Sequence, residues 1–257
     1  MRITVKVGTS TLTHRTGNLN IRHVEELCKV ISDLKNAGNE IILVSSGAIG
    51  MGVGKLALRE KPRDMPTKQA AAAVGQCELM YTYDRLLSAY GHVVGQILVT
   101  GSDLKNAERY INFKNTLNRL LEMQALPIIN ENDTVATEEI EFGDNDTLSA
   151  VVARIVKADA LVILTDIDGL HAENPKQNPD APLIHVVEEV TEDTRRIAGG
   201  AGSSRGTGGM YTKIIAAGQA TREGITTAII DGSTPENLYR LLEGEEIGTV
   251  FPARGGC

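Results

Sequence analysis

Short runs of aliphatic and β-branched residues alternate with helix-like segments along the whole chain. Two of these runs, residues 41–44 and 161–164, are entirely apolar. Strands of that kind are apolar on both faces because helices cover both sides of a mainly parallel sheet. The pattern predicts six strands, at residues 3–7, 40–45, 93–99, 127–130, 161–165 and 226–231.

The segments between the strands have helical periodicity. Residues 20–37 form one apolar stripe, which Asn20 can cap and Gly38 can end. Further helices are predicted at residues 68–90, along the apolar stripe at 148–156, and at 214–222. Repeated strand–helix–strand units imply right-handed crossovers. The predicted fold class is therefore α/β, an open and mainly parallel sheet sandwiched by helices.

Three segments interrupt this alternation. Residues 50–55 read Gly-Met-Gly-Val-Gly-Lys, which satisfies neither the dinucleotide fingerprint nor the Walker A loop, and we interpret them as a flexible loop. Residues 55–67 and 173–182 are rich in charge or proline and are interpreted as surface excursions.

Composition narrows the function classes. The chain has 257 residues, 42% of them hydrophobic, enough for one domain or two closely joined lobes. Its net charge of −7 disfavours nucleic acid or an anionic membrane as a partner. Three scattered cysteines favour reduced thiols, and neither a signal peptide nor a membrane-spanning run is recognisable. We therefore expect a cytoplasmic protein.

Unusual polar residues follow the predicted strands. In an open α/β sheet, ligands gather at the carboxyl ends of the strands. Those ends carry Lys6 with Gly8-Thr9-Ser10, Ser45-Ser46-Gly47, Asn130-Glu131-Asn132-Asp133 and Thr165-Asp166. The segment Gly143-Asp144-Asn145-Asp146-Thr147 follows shortly after Asp133. The carboxylates and amides suit an α-amino group, a magnesium ion or lysines that need orienting, and they are also typical of Asx-turns and helix caps.

A glycine-rich turn runs into a predicted helix at Gly206-Thr207-Gly208-Gly209-Met210-Tyr211-Thr212-Lys213. Glycine backbone N–H groups and a helix N-terminus bind anions, and Lys213 adds a full positive charge. The same composition is typical of a mobile surface loop. The five histidines have no zinc-type spacing, and no Gly-x-Ser-x-Gly motif is present.

Taken together, these motifs resemble the amino acid kinase family, and within it the members that phosphorylate the side-chain carboxylate of L-glutamate. They occur in the family's order and span the chain to about residue 251. The resemblance implies transfer of the ATP γ-phosphoryl group to L-glutamate, the first step of proline biosynthesis. It implies ATP and Mg²⁺ as cofactors, with the magnesium carried by ATP and no separate metal ligand assigned.

The resemblance also implies a role for each matching residue. Lys6 and Lys213 flank the transferred group, and Asp146 orients both lysines. The glutamate-binding residues would be Ser46, Asp133, Asn145 and Asp144. The nucleotide-binding residues would be Lys6, Thr165, Asp166, Thr207, Gly208, Gly209, Met210, Tyr211, Thr212 and Lys213.

The expected organisation is a kinase domain at residues 1–251, followed by a flexible tail at 252–257. Its amino-acid-binding lobe covers about 1–158 and its nucleotide-binding lobe about 159–251. Many family members carry a further C-terminal PUA domain, and the expectation here is that none is present. The family resemblance further suggests a homo-oligomer, and passage of the reactive product to a glutamyl phosphate reductase.

Two alternatives remain open from the residues. One is a kinase for another small anion, such as N-acetylglutamate, aspartate, carbamate or UMP. The other is a non-catalytic amino-acid sensor, which would have no use for both Lys6 and Lys213.

Overall fold

A seven-stranded sheet forms the centre of the computed structural model, which describes residues 1–14, 16–60, 62–135, 145–175, 177–199 and 209–254. The strand order is β3-β4-β2-β1-β5-β6-β7, and only β7 runs antiparallel to its neighbour. The strands are β1 Arg2–Val7, β2 Glu40–Ser45, β3 Val94–Val99, β4 Leu126–Glu131, β5 Ala160–Thr165, β6 Thr226–Asp231 and β7 Thr249–Phe251. The predicted strands are all present, and β7 is an addition that the hydrophobic pattern did not predict.

Helices cover both faces of this sheet. In the described ranges they are α1 Thr9–Leu12, α2 Ile21–Asn36, α3 Ala48–Lys55, α4 Met65–Ser88, α5 Gly101–Lys105, α6 Ala107–Glu122, α7 Asn145–Val156, α8 Glu192–Ile197, α9 Met210–Arg222 and α10 Asn237–Leu242. None of them is long and apolar enough to cross a membrane. The predicted α/β sandwich is thereby confirmed.

Side chains along each strand point alternately to the two faces of the sheet, so the core has two parts. Ile41 and Leu43 pack with α2 and α4 on one face, whereas Ile42 and Val44 pack with α6, α7 and α9 on the other. In β1 the alternating Ile3, Val5 and Val7 all belong to the α2–α4 side. Because successive side chains point to opposite faces, Lys6 points toward the side occupied by α7 and α9.

Helix boundaries follow local capping chemistry. Asn20 caps α2 as predicted, since its Oδ1 accepts a hydrogen bond from the His23 N–H. Asp64 caps α4 in the same way through the Thr67 N–H, so α4 begins three residues before the predicted start at Lys68. The sequence analysis missed α6, although its buried Phe113, Leu117 and Leu121 recur every four residues.

The interpretation of residues 50–55 as a flexible loop was wrong, because these residues form most of helix α3. The glycines serve close packing between α3 and α4. A Cβ on Gly52 would lie 1.8 Å from the Ala71 carbonyl oxygen, and a Cβ on Gly75 would lie 1.7 Å from the Ala48 oxygen. Only glycine permits backbones to approach this closely.

We expect Gly75→Ala to lower the free energy of unfolding by about 3 kcal/mol or more, because the new methyl group overlaps a backbone oxygen that cannot move without shifting a helix. The intrinsic helix preference of alanine opposes this loss by only about 1 kcal/mol. Urea denaturation measures the difference. Gly209→Ala is the control, since Gly209 has a φ of −72° and nothing within 4 Å of its Cβ position. Equal effects of the two substitutions would contradict the packing explanation.

Candidate active site

The carboxyl ends of β1, β2, β4 and β5 meet at one edge of the sheet and open into a cleft of about 1060 Å³. Seven of the sequence-predicted site residues line this cleft together: Lys6, Ser46, Asp133, Asn145, Thr165, Asp166 and Lys213. They come from segments up to 207 residues apart in the chain (213 minus 6). Because the strands are parallel, their ends are brought to the same edge.

Two lysines and one aspartate form a buried charge cluster at the base of the cleft. Lys6 Nζ lies 2.6 Å from Asp146 Oδ1, and Lys213 Nζ lies 3.0 Å from Asp146 Oδ2. The two carboxylate oxygens thus each hold one ammonium group. The side chain of Asp146 is fully buried, and those of Lys6 and Lys213 are 4% and 5% exposed.

Each member of the cluster is held by a central element. Lys6 lies in β1, where it pairs in register with Val44 of β2 and Ile163 of β5. Asp146 lies in the first turn of α7, where a helix N-terminus stabilises a carboxylate. Lys213 lies one turn into α9, and α7 and α9 pack against each other. Lys6 is thus a central lysine, not a solvated lysine of an edge strand.

The cluster carries a net charge of +1 in a place that water scarcely reaches. Charges removed from water interact more strongly than charges at a surface, so an anion entering the cleft is attracted strongly. Thr212 Oγ1 donates a hydrogen bond to Asp146 Oδ2 at 2.8 Å, which further restrains the carboxylate. Thr212 was predicted to bind nucleotide, and here its hydroxyl contacts the aspartate that holds the lysines.

Neutral polar groups also line the cleft. Asn145 Nδ2 donates to Ser46 Oγ at 2.7 Å and to Asn130 Oδ1 at 2.9 Å. Asn130 Nδ2 in turn donates to Gln76 Oε1 at 2.9 Å. The sequence analysis did not single out Gln76. The available signal was an amide on the mainly apolar buried face of α4, next to Ala72 and Leu79.

The turn after β2 brings Ser46 to this network. Gly47 has a φ of 105°, in the left-handed region that favours glycine, and α3 begins directly after it. This turn lets the chain leave the sheet edge at once while the Ser46 hydroxyl stays in the cleft.

Asp133 is the carboxylate on the same side of the cleft. Burial without a compensating charge raises its pKa from 3.8 to about 6. At neutral pH this carboxylate is ionised and can attract a cationic group of a ligand.

Thr165 is the last residue of β5 and Asp166 follows it, and both line the cleft. The Thr165 carbonyl accepts a hydrogen bond from Gly232 N at 2.7 Å. Gly209 is exposed and precedes α9, whereas Met210 and Tyr211 are half-buried in its first turn. Three further predicted residues, Asp144, Thr207 and Gly208, lie outside the described residues.

Two cations that the sequence analysis did not single out, Arg59 and Lys68, also line the cleft. Arg59 comes from the surface excursion before α4, together with Glu60 and Pro62, and Lys68 comes from the first turn of α4. Within the described ranges, no group of three or more His, Cys, Asp or Glu side chains is arranged to hold a metal ion.

Comparison with known proteins agrees with this geometry. Residues 1–231 match the sequence profile of the amino acid kinase family. The chain is 53% identical over 250 residues to a glutamate 5-kinase of Clostridium acetobutylicum, covering 97% of this chain and 94% of that protein. It is 51% identical to a glutamate 5-kinase of Clostridium perfringens, covering 99% and 96%. A longer glutamate 5-kinase, from Caldanaerobacter subterraneus, is 53% identical, with 98% of this chain and 68% of that protein covered.

Solved structures with the same fold are much more distant in sequence. An isopentenyl phosphate kinase superposes with a TM-score of 0.67 at 19% identity, covering 98% of this chain and all of that one. UMP kinase from Bacillus anthracis superposes with a TM-score of 0.67 at 15% identity, covering 99% and 96%. At these identities the likeness concerns the fold alone.

We expect Asp146→Asn to lower the free energy of unfolding by about 3–5 kcal/mol, because it removes the carboxylate charge that both buried ammonium groups contact. Urea denaturation at low and high salt measures this. Glu122→Gln is the control, since Glu122 is paired with Arg119 and both side chains are more than 60% exposed, so the loss of this pair costs about 0–1 kcal/mol. An Asp146→Asn protein as stable as the wild type would show that the cluster is not held by this carboxylate.

Proposed function

The chain belongs to the amino acid kinase family, and on this premise we propose that it phosphorylates the side-chain carboxylate of L-glutamate with ATP. The product is L-glutamyl 5-phosphate, and the reaction is the first step of proline biosynthesis. The observation that carries the proposal is the buried Lys6–Asp146–Lys213 cluster beside a cleft that also presents amides and a carboxylate. The glutamate 5-kinases of comparable length to which the chain is about half identical support the choice of substrate.

The chemistry requires no general base. The pKa of a glutamate side chain is about 4.3, so the nucleophile is already ionised at neutral pH. A carboxylate oxygen attacks the γ-phosphorus, an oxygen–phosphorus bond forms, and the bond from that phosphorus to the β–γ bridging oxygen breaks as ADP leaves. The main obstacle is repulsion between the carboxylate and the triphosphate.

Two fixed cations reduce this repulsion. Lys6 and Lys213 are held 2.6 and 3.0 Å from one carboxylate, so their positions are set before substrates bind. Preorganised charges need no reorganisation as negative charge moves between oxygens in the transition state. We propose that Lys6 and Lys213 flank the transferred phosphoryl group and that Asp146 orients both lysines.

The amide side of the cleft suits the α-amino acid group of the substrate. Asn145 uses both Nδ2 hydrogens within the protein, on Ser46 and Asn130, and keeps its Oδ1 as an acceptor. Asp133 supplies a negative charge for the α-ammonium group. Because Ser46 Oγ already accepts a hydrogen bond, its own proton remains available for the α-carboxylate. Asp144 is assigned to the same group of glutamate-binding residues.

We assign the nucleotide to Thr165, Asp166 and the first turn of α9, with the segment at residues 207–209 before it. Magnesium carried by the phosphates keeps most of its water and needs at most one or two protein carboxylates. Asp166 lines the cleft as an oxygen donor, which fits a nucleotide-bound ion better than a protein cage. When bound, the ion neutralises phosphate charge.

Organisation beyond the site is part of the same proposal. We propose that residues up to about 158 bind the amino acid and that the following part up to about 251 binds the nucleotide. We further propose a cytoplasmic homo-oligomer whose reactive acyl phosphate passes to a glutamyl phosphate reductase.

The reaction is tested by incubating the protein with Mg-ATP and hydroxylamine while following ADP and hydroxamate together. L-Glutamate, L-aspartate, N-acetylglutamate, carbamate and UMP are supplied in separate reactions. Hydroxamate with L-glutamate alone is the expected result. ADP release with a different acceptor would show that L-glutamate is not the substrate. No turnover with any acceptor would favour an amino-acid sensor.

In this assay Lys6→Met and Lys213→Met should each lower kcat by about 10²–10³-fold, the effect of removing one preorganised oxyanion donor. Methionine keeps most of the side-chain volume and removes the charge. Lys114→Met, at an exposed position of α6, is the control and should leave kcat unchanged. Near-normal turnover in either cleft variant would remove that lysine from the mechanism.

The raised pKa of Asp133 predicts a pH dependence of glutamate use. Below about pH 6 the Asp133 carboxyl group takes up a proton and loses its attraction for the α-ammonium group. We expect kcat/KM for L-glutamate to fall about tenfold between pH 7 and pH 5, while the substrate side chain stays mostly ionised. Asp133→Asn should show a low kcat/KM that changes little over this range. A wild-type profile that is flat between pH 7 and pH 5 would contradict the role of Asp133.

A further inference from the structure

A backbone N–H group determines the orientation of the amides beside the cleft. Asn130 Oδ1 accepts a hydrogen bond from the Glu131 N–H at 2.8 Å. A backbone N–H can only donate, so this oxygen cannot be exchanged with the Asn130 amino group. Asn130 Nδ2 must therefore point the other way, toward Gln76 of α4, where it donates to Oε1 at 2.9 Å.

The same argument determines the orientation of the Asn145 amide. Because Asn130 presents its oxygen, Asn145 must present its amino group, and its second hydrogen is donated to Ser46 Oγ. The remaining oxygen, Asn145 Oδ1, is buried and has no hydrogen-bond partner among the described residues. An unpaired buried acceptor costs free energy unless a ligand supplies a donor. Asn145 lines the cleft, so that donor can come from a bound substrate.

Gln76 anchors the far end of this chain of amides. It is 7% exposed, and its Nε2 has no partner among the described residues. An apolar side chain at this position would fill the space without burying an unpaired amide, which is the less costly choice for packing alone. Gln76 differs from an apolar side chain in one contact: its Oε1 accepts a hydrogen bond from Asn130 Nδ2.

We propose that Gln76 is a positioning residue that determines selection for the substrate's α-ammonium group, acting through Asn130 on Asn145. The inference rests on the proposed function for the identity of the substrate. Without the Gln76 acceptor, Asn130 Nδ2 is left unpaired, and the Glu131 N–H is the remaining restraint on its amide among the described residues. Asn130 then holds Asn145, and with it the unpaired Asn145 Oδ1, less firmly.

The test compares L-glutamate with glutarate, which lacks the α-ammonium group and keeps both carboxylates. Dissociation constants come from isothermal titration calorimetry, and kcat/KM values from the hydroxamate assay. Gln76→Met should reduce the preference for L-glutamate over glutarate by about 10–100-fold, the range expected for one unpaired buried polar group. The KM for ATP should stay unchanged, because the altered contact lies on the amide side of the cleft.

Two further variants separate positioning from packing. Gln76→Glu keeps an acceptor oxygen for Asn130 Nδ2 and should retain the preference for L-glutamate. Thr82→Val is the matched control on the same helix, since it removes a buried hydroxyl whose hydrogen bond among the described residues goes to the Glu78 carbonyl. It should leave both the preference and kcat unchanged.

Several results would overturn the proposal. These are an unchanged preference in Gln76→Met, an equal loss of affinity for both ligands, or a wild type that binds glutarate as tightly as L-glutamate. If Gln76→Met does not fold, as judged by near-ultraviolet circular dichroism, Gln76→Ala removes the same acceptor with less steric demand. Failure of both to fold would show a structural residue and contradict the proposal.

Failure of the proposed function gives a different result. A wild type that forms no hydroxamate with L-glutamate refutes L-glutamate as the substrate of phosphorylation, whatever the Gln76 variants do. The calorimetric preference for L-glutamate over glutarate still decides the role of Gln76 in that case, because it measures binding and not turnover.

Discussion

The site depends on one carboxylate that holds two ammonium groups out of water. Asp146 is fully buried between Lys6 and Lys213, and none of the three could be buried at a tolerable cost without the others. This requirement explains where the elements lie. Lys6 must be in a central strand, and α7 and α9 must present their first turns to the same face of the sheet. The fold is therefore arranged around a preorganised positive site.

The second constraint is the close contact of α3 with α4. Gly52 and Gly75 let the two helices approach until a single methyl group would overlap a backbone oxygen. This contact positions α4 so that Gln76 reaches Asn130 at the end of β4. The cleft thus has a cationic part built on β1, α7 and α9 and an amide part supported by α4. The proposed reaction needs both parts, one for the phosphoryl group and one for the amino acid that receives it.

Local sequence patterns were sufficient to predict much of this arrangement. Apolar runs on both faces indicated a parallel sheet under two helical layers, and the polar turns after the strands indicated the edge where ligands bind. Recognition of the family assigned roles to Lys6, Lys213 and Asp146. The error at residues 50–55 has a physical cause: glycines permit flexible loops and also permit close helix packing, and the local sequence does not distinguish the two. Helix α6 was missed although its apolar spacing is regular.

The sequence by itself thus determined the fold class, the strand positions, the family and the residue types available for chemistry, because these follow from periodicity and short motifs. Only the tertiary structure decided which of these residues meet. It paired both lysines with a single carboxylate, gave Thr212 a contact with that carboxylate, and joined Gln76 to Asn145 through Asn130. Such contacts join residues as much as 140 positions apart (146 minus 6), and they depend on helix packing and strand order, which short sequence motifs do not encode.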